Sequence, residues 1–189
     1  MRKRLFVIIM VILLPAALKA QHIGVKTNLL YWMTTTPNLS VEFSMGKKFS
    51  LNLDGSYNPW EFKATETTNP KMKHWLASVE ARYWFCEVFD GTFVGLQGII
   101  GEYNIEDIPL IKWPEGSRYD GIAYGGGVTI GNHWALGRRW GFELSAGVGL
   151  LILDRTRYDQ GTSGQEIDRK KFLYFGPTKL SVSFMYFFN

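Results

Sequence analysis

The sequence contains few of the residues that carry metal, thiol or disulfide chemistry. Cys86 is its single cysteine, and its 189 residues include only three histidines. One cysteine cannot form an intrachain disulfide, and His22, His74 and His133 are too widely scattered to suggest a zinc site. We therefore expect no metal and no cofactor, and we expect Cys86 to be a half-buried residue in a turn.

Long apolar runs are also missing beyond the first twenty residues. The longest is about four residues, LLIL at 150–153, whereas a membrane-spanning helix needs about 20. Spanning helices are therefore excluded in that part of the chain. The sequence is instead rich in glycine, with 20 residues, and in aromatic residues, at 15%. This composition favours an all-β fold with many strands.

Residues 1–20 have the layout of a secretory signal peptide. A positive start, MRKR, is followed by an apolar run at 5–14 and a small-residue end at 16–20. The alternative is an uncleaved anchor helix, but the apolar run is shorter than the roughly 20 residues that such a helix needs. We expect cleavage after Ala20, which leaves a mature chain of one domain at 21–189.

The charge balance changes when this segment is removed. The full chain has 21 lysines and arginines against 17 aspartates and glutamates, for a net charge of +4. Four of the cations lie in the signal, namely Arg2, Lys3, Arg4 and Lys19, so the mature chain is balanced. The basic isoelectric point therefore gives no support for nucleic-acid binding.

Alternation of apolar and polar residues predicts eight β-strands in the mature chain. The stretch KLSVSFMYFFN, for example, has an apolar residue at every second position from Leu180 to Phe188, which is the period of a strand. The predicted strands cover 23–32, 39–46, 49–58, 74–85, 92–103, 119–134, 140–153 and 174–188. The fifth of them alternates least cleanly.

The predicted connections alternate in length. Three are tight, at GK, CEVFDG and ALGRR, and the stretches TTTPN, PWEFKATETTNPKMK, 104–118 and 154–172 are longer or irregular. Short turns at one end and long loops at the other are typical of outer-membrane barrels.

The polar face of the strands indicates which solvent the apolar face meets. A soluble eight-stranded barrel of the lipocalin type, which is the alternative, would expose a face rich in lysine and glutamate. Here the polar positions carry mainly small residues, which suit a narrow interior. They are Ser40, Ser44, Ser50, Asn52, Ser56, Ser78, Ser145, Gly147, Ser181 and Ser183.

Aromatic residues lie near both ends of the predicted strands. Those near the tight turns are Phe49, Phe85, Trp134, Trp140, Tyr186 and Phe188, and those near the long loops are Tyr31, Tyr57, Trp60, Trp75 and Tyr174. Two such girdles are typical of the two interfaces of a membrane. The sequence thus predicts an all-β fold, namely an eight-stranded antiparallel transmembrane β-barrel of the outer-membrane type.

Seven charged residues fall on the face that is predicted to point inward. They are Lys26, Glu42, Asp54, Glu80, Arg82, Glu143 and Lys179. Charges inside a narrow barrel are costly unless they are paired and hydrogen-bonded, and three cations among four anions can form a network. We expect a packed polar plug that holds the lumen shut. The alternative is an ion path or a gate.

An enzyme is the alternative of a different class. Some outer-membrane barrels of this size modify lipid A, and such deacylases use a histidine and a serine two residues apart on one strand. The three histidines of this chain are followed at that spacing by Gly24, Leu76 and Ala135. No Ser/His/Asp grouping is visible either, so we expect no catalytic residues.

The phrases KTNLLYWMTTTPNLSVEF (26–43), GSYNPWEF (55–62), KHWLASVEARYWFCE (73–87) and YFGPTK (174–179) are distinctive in combination. They resemble a family of small outer-membrane proteins known only as a domain of unknown function, the DUF3575-like proteins. The resemblance implies an outer-membrane location in a Gram-negative cell and brings no catalytic residues. Some relatives are thought to lie beside genes for surface fimbriae. One departure is that many outer-membrane barrels end on an aromatic residue, whereas here Asn189 follows.

We therefore expect an outer-membrane protein with a structural or interaction role through its extracellular loops. The alternatives are an accessory or assembly component of a surface fimbria, and a narrow pore. The expected partners are outer-membrane lipid, the barrel-assembly machinery, and fimbrial or other cell-surface proteins. The basic cluster DRKK at 168–171, with Arg155 and Arg157, is a candidate contact for anionic lipid heads or a partner, and a solvated loop is the alternative.

Overall fold

The computed structural model describes residues 23–60, 71–106, 118–158 and 166–188. The predicted signal peptide at 1–20 lies outside these residues, as do parts of three of the predicted long connections.

Eight antiparallel strands and one short helix make up the described part of the chain. In chain order they are β1 (Ile23–Asn28), α1 (Leu29–Met33), β2 (Asn38–Ser44), β3 (Phe49–Asn58), β4 (Lys71–Trp84), β5 (Gly91–Glu106), β6 (Arg118–Ala135), β7 (Trp140–Tyr158) and β8 (Glu166–Phe188). Each strand pairs with the next and β8 pairs with β1, so the sheet closes into a ring. The predicted all-β fold of eight antiparallel strands is confirmed.

The two ends of the ring differ in their connections. Short turns join β2 to β3, β4 to β5 and β6 to β7 at the end where β1 begins and β8 finishes. We call this the tight-turn end. The strand ends that the other four connections join lie at the opposite end of the ring, which we call the long-connection end.

Residues 29–32, predicted to continue the first strand, form helix α1 instead. The side chain of Asn28 caps this helix, because its oxygen accepts a hydrogen bond from the backbone N–H of Leu30 at 3.1 Å. The run LLYWM does not alternate, and a short apolar run suits a helix as well as a strand. No helix in the described ranges is long and apolar enough to cross a membrane.

Strands β7 and β8 extend well beyond their predicted limits. The stretch 154–172, predicted as a connection, contributes residues to both strands. The charged composition of this stretch does not suggest strands. In the register, however, Asp154 lies opposite Lys171, and a pair of opposite charges favours strand pairing. The pairing shifts by one residue beside Val148, where β8 contains Pro177, and proline is usual at such an irregularity.

Side chains alternate between the interior of the ring and its outer surface. Among the described residues, the buried hydrophobic side chains are Trp84, Phe93, Ile99, Met185 and Phe187, against nineteen buried polar or charged ones. The small polar residues predicted to point inward are buried, except Ser78, which is half-buried. Hydrophobic side chains on the outer surface are largely exposed, for example Leu96 at 68% and Leu180 at 65%.

Two predicted side-chain positions are wrong. Cys86 is exposed rather than half-buried, because it follows the end of β4 and has no strand wall to pack against. Tyr31 was expected in the outer girdle, but helix α1 turns it toward a polar cavity inside the ring.

Candidate functional site: a charge network inside the ring

The structure brings the seven charged residues predicted to point inward into one connected network. Arg82 on β4 is at its centre and contacts three carboxylates. Its Nη1 atom lies 2.8 Å from Oε2 of Glu42 and 2.8 Å from Oε2 of Glu143, and its Nη2 atom lies 2.9 Å from Oε2 of Glu80. These carboxylates come from β2, β7 and β4, so one guanidinium links three strands of the ring.

Lys26 on β1 is the second cation of the network. Its Nζ atom lies 2.8 Å from Oε2 of Glu42 and 2.9 Å from Oε2 of Glu143. Both carboxylates are therefore shared between Lys26 and Arg82. Sharing places each negative charge between two positive ones, which offsets the cost of removing all four groups from water.

Lys179 and Asp54 extend the network toward the long-connection end. The Nζ atom of Lys179 lies 2.7 Å from Oε2 of Glu80 and 3.3 Å from Oδ2 of Asp54. Asp54 also accepts hydrogen bonds from Ser40, from Nδ2 of Asn52 at 2.6 Å and from Oγ of Ser78 at 3.0 Å. This part of the network is less buried than the part around Arg82.

Hydroxyl groups donate further hydrogen bonds to two of the carboxylates around Arg82. The Oγ atom of Ser50 donates to Oε1 of Glu42 at 2.5 Å, and Thr129 donates to Oε1 of Glu80. The side chains of Glu42, Glu80 and Arg82 are fully buried. These hydrogen bonds lower the cost of burying the carboxylates, while Nε of Arg82 has no hydrogen-bond partner among the described residues.

Glycines on the inner wall make room for these long side chains. A Cβ atom on Gly95 would lie 2.7 Å from Oε1 of Glu80, and one on Gly147 would lie 2.8 Å from Cγ2 of Thr129. Each distance is too short for ordinary packing. At these positions β5 and β7 therefore present only backbone to the interior, opposite the charged side chains of β2 and β4.

Aromatic rings close the interior at the tight-turn end. Trp84 stacks against Phe93 with ring centroids 4.8 Å apart, and Phe89 packs on Phe187 at 5.0 Å. The Cζ atom of Arg82 lies 4.2 Å from the ring centre of Phe93, within the range of a cation–π contact. The sequence analysis missed this cluster, although Trp84 lies in the same strand phase as Arg82.

A small polar cavity lies on the other side of the network. It measures about 40 Å³ and is lined by residues that include Tyr31, Asp54, Ser78 and Lys179. A space of that size holds only a few water molecules. The charged side chains fill the interior between this cavity and the aromatic cluster.

The cations and carboxylates of the network neutralise one another. Each of its carboxylates contacts at least one cation, which leaves them poor ligands for a metal ion. Within the described ranges, no group of three or more histidine, cysteine, aspartate or glutamate side chains is arranged to bind a metal. The arrangement is suited to joining strands across the interior.

A family model described as "Protein of unknown function (DUF3575)" matches residues 6–188. This match covers nearly the whole chain and confirms the family resemblance found in the sequence. No curated protein matches the chain.

Proposed function

We propose that this chain, which belongs to the DUF3575 family, is an eight-stranded outer-membrane β-barrel with a structural or interaction role. Its long-connection end would face the exterior of the cell and make the interactions. The observation that carries the proposal is an inverted distribution of side chains, with charges inside the ring and hydrophobic groups outside.

The inversion is strong along every part of the ring that has long strands. Val79 on β4, Val128 on β6 and Val148 on β7 are each about half exposed on the outer surface, at 46%, 54% and 47%. In water such a surface would be a large apolar patch, which monomeric soluble proteins rarely carry. Contact with lipid removes that cost. Each strand of the ring is also paired on both sides where the ring closes, as a strand in lipid must be.

Aromatic side chains on the outer surface support the same proposal. At the tight-turn end, Trp140 packs against Tyr186 with ring centroids 4.9 Å apart, and Trp134 packs against Phe142 at 5.9 Å. Toward the long-connection end, Tyr57 is 60% exposed on the outside of β3. Rings with a polar edge favour the two interfaces of a bilayer.

The lengths of the connections support the orientation. Outer-membrane barrels have short turns on the periplasmic side and longer loops outside the cell. The tight-turn end would therefore face the periplasm, from which the chain is inserted. The charge network and the aromatic cluster favour a closed interior, and thus a structural or interaction role over a pore.

Fractionation and heat-modifiable mobility test the proposal. The mature protein should sediment with outer membranes and resist extraction by alkaline carbonate. On gels the unboiled protein should run faster than the boiled protein, because a closed barrel resists unfolding by detergent. Recovery as a soluble periplasmic protein would contradict the proposal and favour a lipocalin-like barrel.

A further inference from the structure

The turns that join β2 to β3 and β6 to β7 have the same sequence pattern. The first reads MGKKF at 45–49, and the second reads LGRRW at 136–140. Each consists of an apolar residue, a glycine, two cations and an aromatic residue. The third tight turn differs, because it carries Glu87 and Asp90 instead of cations. The repeated pattern indicates that the four cations share a role.

The two turns also have the same backbone structure. The N–H of Met45 donates to the backbone oxygen of Phe49 at 2.7 Å, and the N–H of Leu136 donates to the backbone oxygen of Trp140 at 2.9 Å. The glycine of each turn has a positive φ angle, +102° in the first turn and +150° in the second, which glycine adopts without a steric penalty. The two pairs of cations therefore occupy equivalent positions in the two turns.

The four cations are exposed and carry charge that no carboxylate neutralises. We call them the basic rim, which consists of Lys47, Lys48, Arg138 and Arg139. The exposed ion pairs among the described residues lie at the opposite end of the ring, on β7 and β8, and none of them involves the basic rim. Lys48 donates a hydrogen bond to the backbone oxygen of Phe85 at 3.3 Å, which leaves its positive charge in place. The basic rim is therefore available to an anionic partner.

Aromatic side chains of the outer surface border the basic rim. Phe49 packs against Tyr83 with ring centroids 5.3 Å apart, and Trp140 packs against Tyr186 at 4.9 Å. The second cation of each turn directly precedes Phe49 or Trp140 in the chain. This inference rests on the proposed function, in which the outer surface between the two aromatic girdles is the membrane band. The basic rim would then lie at the level of the lipid head groups on the periplasmic side.

We propose that the basic rim binds the head groups of anionic phospholipids in the periplasmic leaflet of the outer membrane. Ammonium and guanidinium groups form charge-assisted hydrogen bonds with phosphate oxygens, and cations beside a membrane are attracted to its anionic lipids. The flexible stems of lysine and arginine let the charged ends reach phosphates while the methylene groups lie along apolar surface. Binding by two turns would fix the depth of the tight-turn end in the membrane.

The positions of the two turns favour a membrane surface over a compact anion. In the ring, the β2–β3 turn and the β6–β7 turn are four strands apart among eight, so they lie on opposite sides. One small anion cannot contact both turns, whereas a leaflet that surrounds the ring contacts both at once.

The third tight turn makes an acidic protein segment a poorer partner than lipid. Phe89 of this turn packs on Phe187 of β8 with ring centroids 5.0 Å apart, so the turn reaches across the end of the ring. Its carboxylates, Glu87 and Asp90, are exposed there. An acidic segment that joined the two basic turns across this end would lie against them, and like charges placed together oppose binding.

Spin-labelled lipids test the proposal with the mature chain folded into vesicles. Electron paramagnetic resonance measures the fraction of each labelled lipid that is immobilised at the protein. Anionic phosphatidylglycerol should be preferred over zwitterionic phosphatidylcholine by about threefold or more at low salt, because each cation beside the membrane attracts anionic lipid. The preference should fall in about 1 M sodium chloride, where the Debye length is about 3 Å.

Neutral variants test whether the basic rim causes the preference. Lys47→Gln, Lys48→Gln, Arg138→Gln and Arg139→Gln together should bring the two lipids close to equal binding, and each pair of changes alone should remove part of the preference. The matched control exchanges the cations of the two turns, with arginine at 47 and 48 and lysine at 138 and 139, and should keep the preference. If the fourfold variant lacks heat-modifiable mobility, the two pair variants replace it.

A second control separates local contact from net charge. Glu87→Gln with Asp90→Asn raises the net charge of the same end without changing the basic rim. This variant should leave the preference for phosphatidylglycerol unchanged. An increase as large as the loss in either pair variant would show that net charge, and not the basic rim, selects the lipid.

Two further outcomes would overturn the proposal. They are equal binding of the two lipids by the folded, unmodified protein, and an undiminished preference in the fourfold variant. Failure of the proposed function is a separate result, since the chain would then not fold into vesicles or acquire heat-modifiable mobility. A protein that folds into vesicles and shows no lipid preference refutes only the basic-rim proposal.

Discussion

Arg82 and Glu143 form a bidentate pair across the interior of the ring. The Nη1 atom of Arg82 lies 2.8 Å from Oε2 of Glu143, and its Nη2 atom lies 3.2 Å from Oε1. These residues belong to β4 and β7, which are not neighbours in the sheet. The pair therefore ties opposite walls together, and its fork geometry is specific to arginine.

Replacement of Arg82 by methionine should destabilise the protein strongly. The change leaves Glu42 and Glu143 with Lys26 as their cation, and the loss of one partner from a buried charged group costs about 3–5 kcal/mol. Urea-induced unfolding in lipid vesicles, followed by tryptophan fluorescence, measures this free energy. An unchanged free energy of unfolding would show that the network does not stabilise the ring.

Two second-site changes distinguish the carboxylates of the network. Added to Arg82→Met, Glu143→Gln should recover more stability than Glu80→Gln does. The reason is that Glu80 keeps Lys179 at 2.7 Å, whereas Glu42 and Glu143 then share Lys26. Double-mutant cycles on the free energy of unfolding measure both couplings. The opposite order would mean that the network rearranges when Arg82 is lost.

The same network should block the passage of ions. Arg82, Glu80 and Glu143 fill the interior above the aromatic cluster, so the unmodified protein in a planar bilayer should pass little or no steady current. An eight-stranded interior has room for little besides side chains. Stable, ion-selective conductance that Arg82→Met alters without loss of stability would favour the pore.

The outer surface should tolerate charge only near the ends of the strands. Leu144 on β7 lies opposite Val182 on β8 in the register. At mid-bilayer, Leu144→Arg should cost about 2–4 kcal/mol, and Leu136→Arg, in a tight turn, should cost close to zero. Folding into vesicles and heat-modifiable mobility report the difference. Equal effects at the two positions would contradict the proposed membrane band.

The alternation of polar and apolar residues predicted which side chains of each strand point inward. Successive side chains of a strand lie on opposite faces, so the alternation assigns each residue to one face. The inward phase of Glu42, Arg82 and Glu143 follows from it directly. Periodicity could not locate helix α1, whose start depends on the hydrogen bond from Leu30 to Asn28. The inward phase that Trp84 shares with Arg82 was a usable signal that this aromatic residue lies inside the ring.

The sequence likewise could not predict which charged side chains contact each other inside the ring. Which cation meets which carboxylate depends on strand stagger, and Lys26 reaches Glu143 although 117 positions separate them. The glycines of the inner wall were a usable signal. Gly95 and Gly147 lie in the inward phase opposite long charged side chains, where a narrow interior needs empty positions.

Removal of that space should destabilise the ring. Gly95→Ala places a Cβ atom 2.5 Å from Oγ1 of Thr129 and 2.7 Å from Oε1 of Glu80, and overpacking of this kind typically costs about 1–3 kcal/mol. Gly55→Ala is the matched control, since nothing lies within 4 Å of its Cβ position. Urea unfolding of both variants measures the difference. A stability change no larger than that of the control would show that the network yields easily at Thr129.

Loss of the Asn28 side chain should open the seam between β1 and β8. Asn28→Ala removes hydrogen bonds to Leu180 and Val182 and the cap on Leu30. An unsatisfied backbone group typically costs about 1–3 kcal/mol when buried. Asn28→Asp keeps an acceptor for the N–H of Val182 and of Leu30 but cannot donate to the oxygen of Leu180. The loss of stability in Asn28→Asp should therefore be intermediate.

Amide exchange at Val182, measured by NMR, should accelerate in Asn28→Ala and stay slow in Asn28→Asp. Slow exchange in both variants would mean that another group protects this edge.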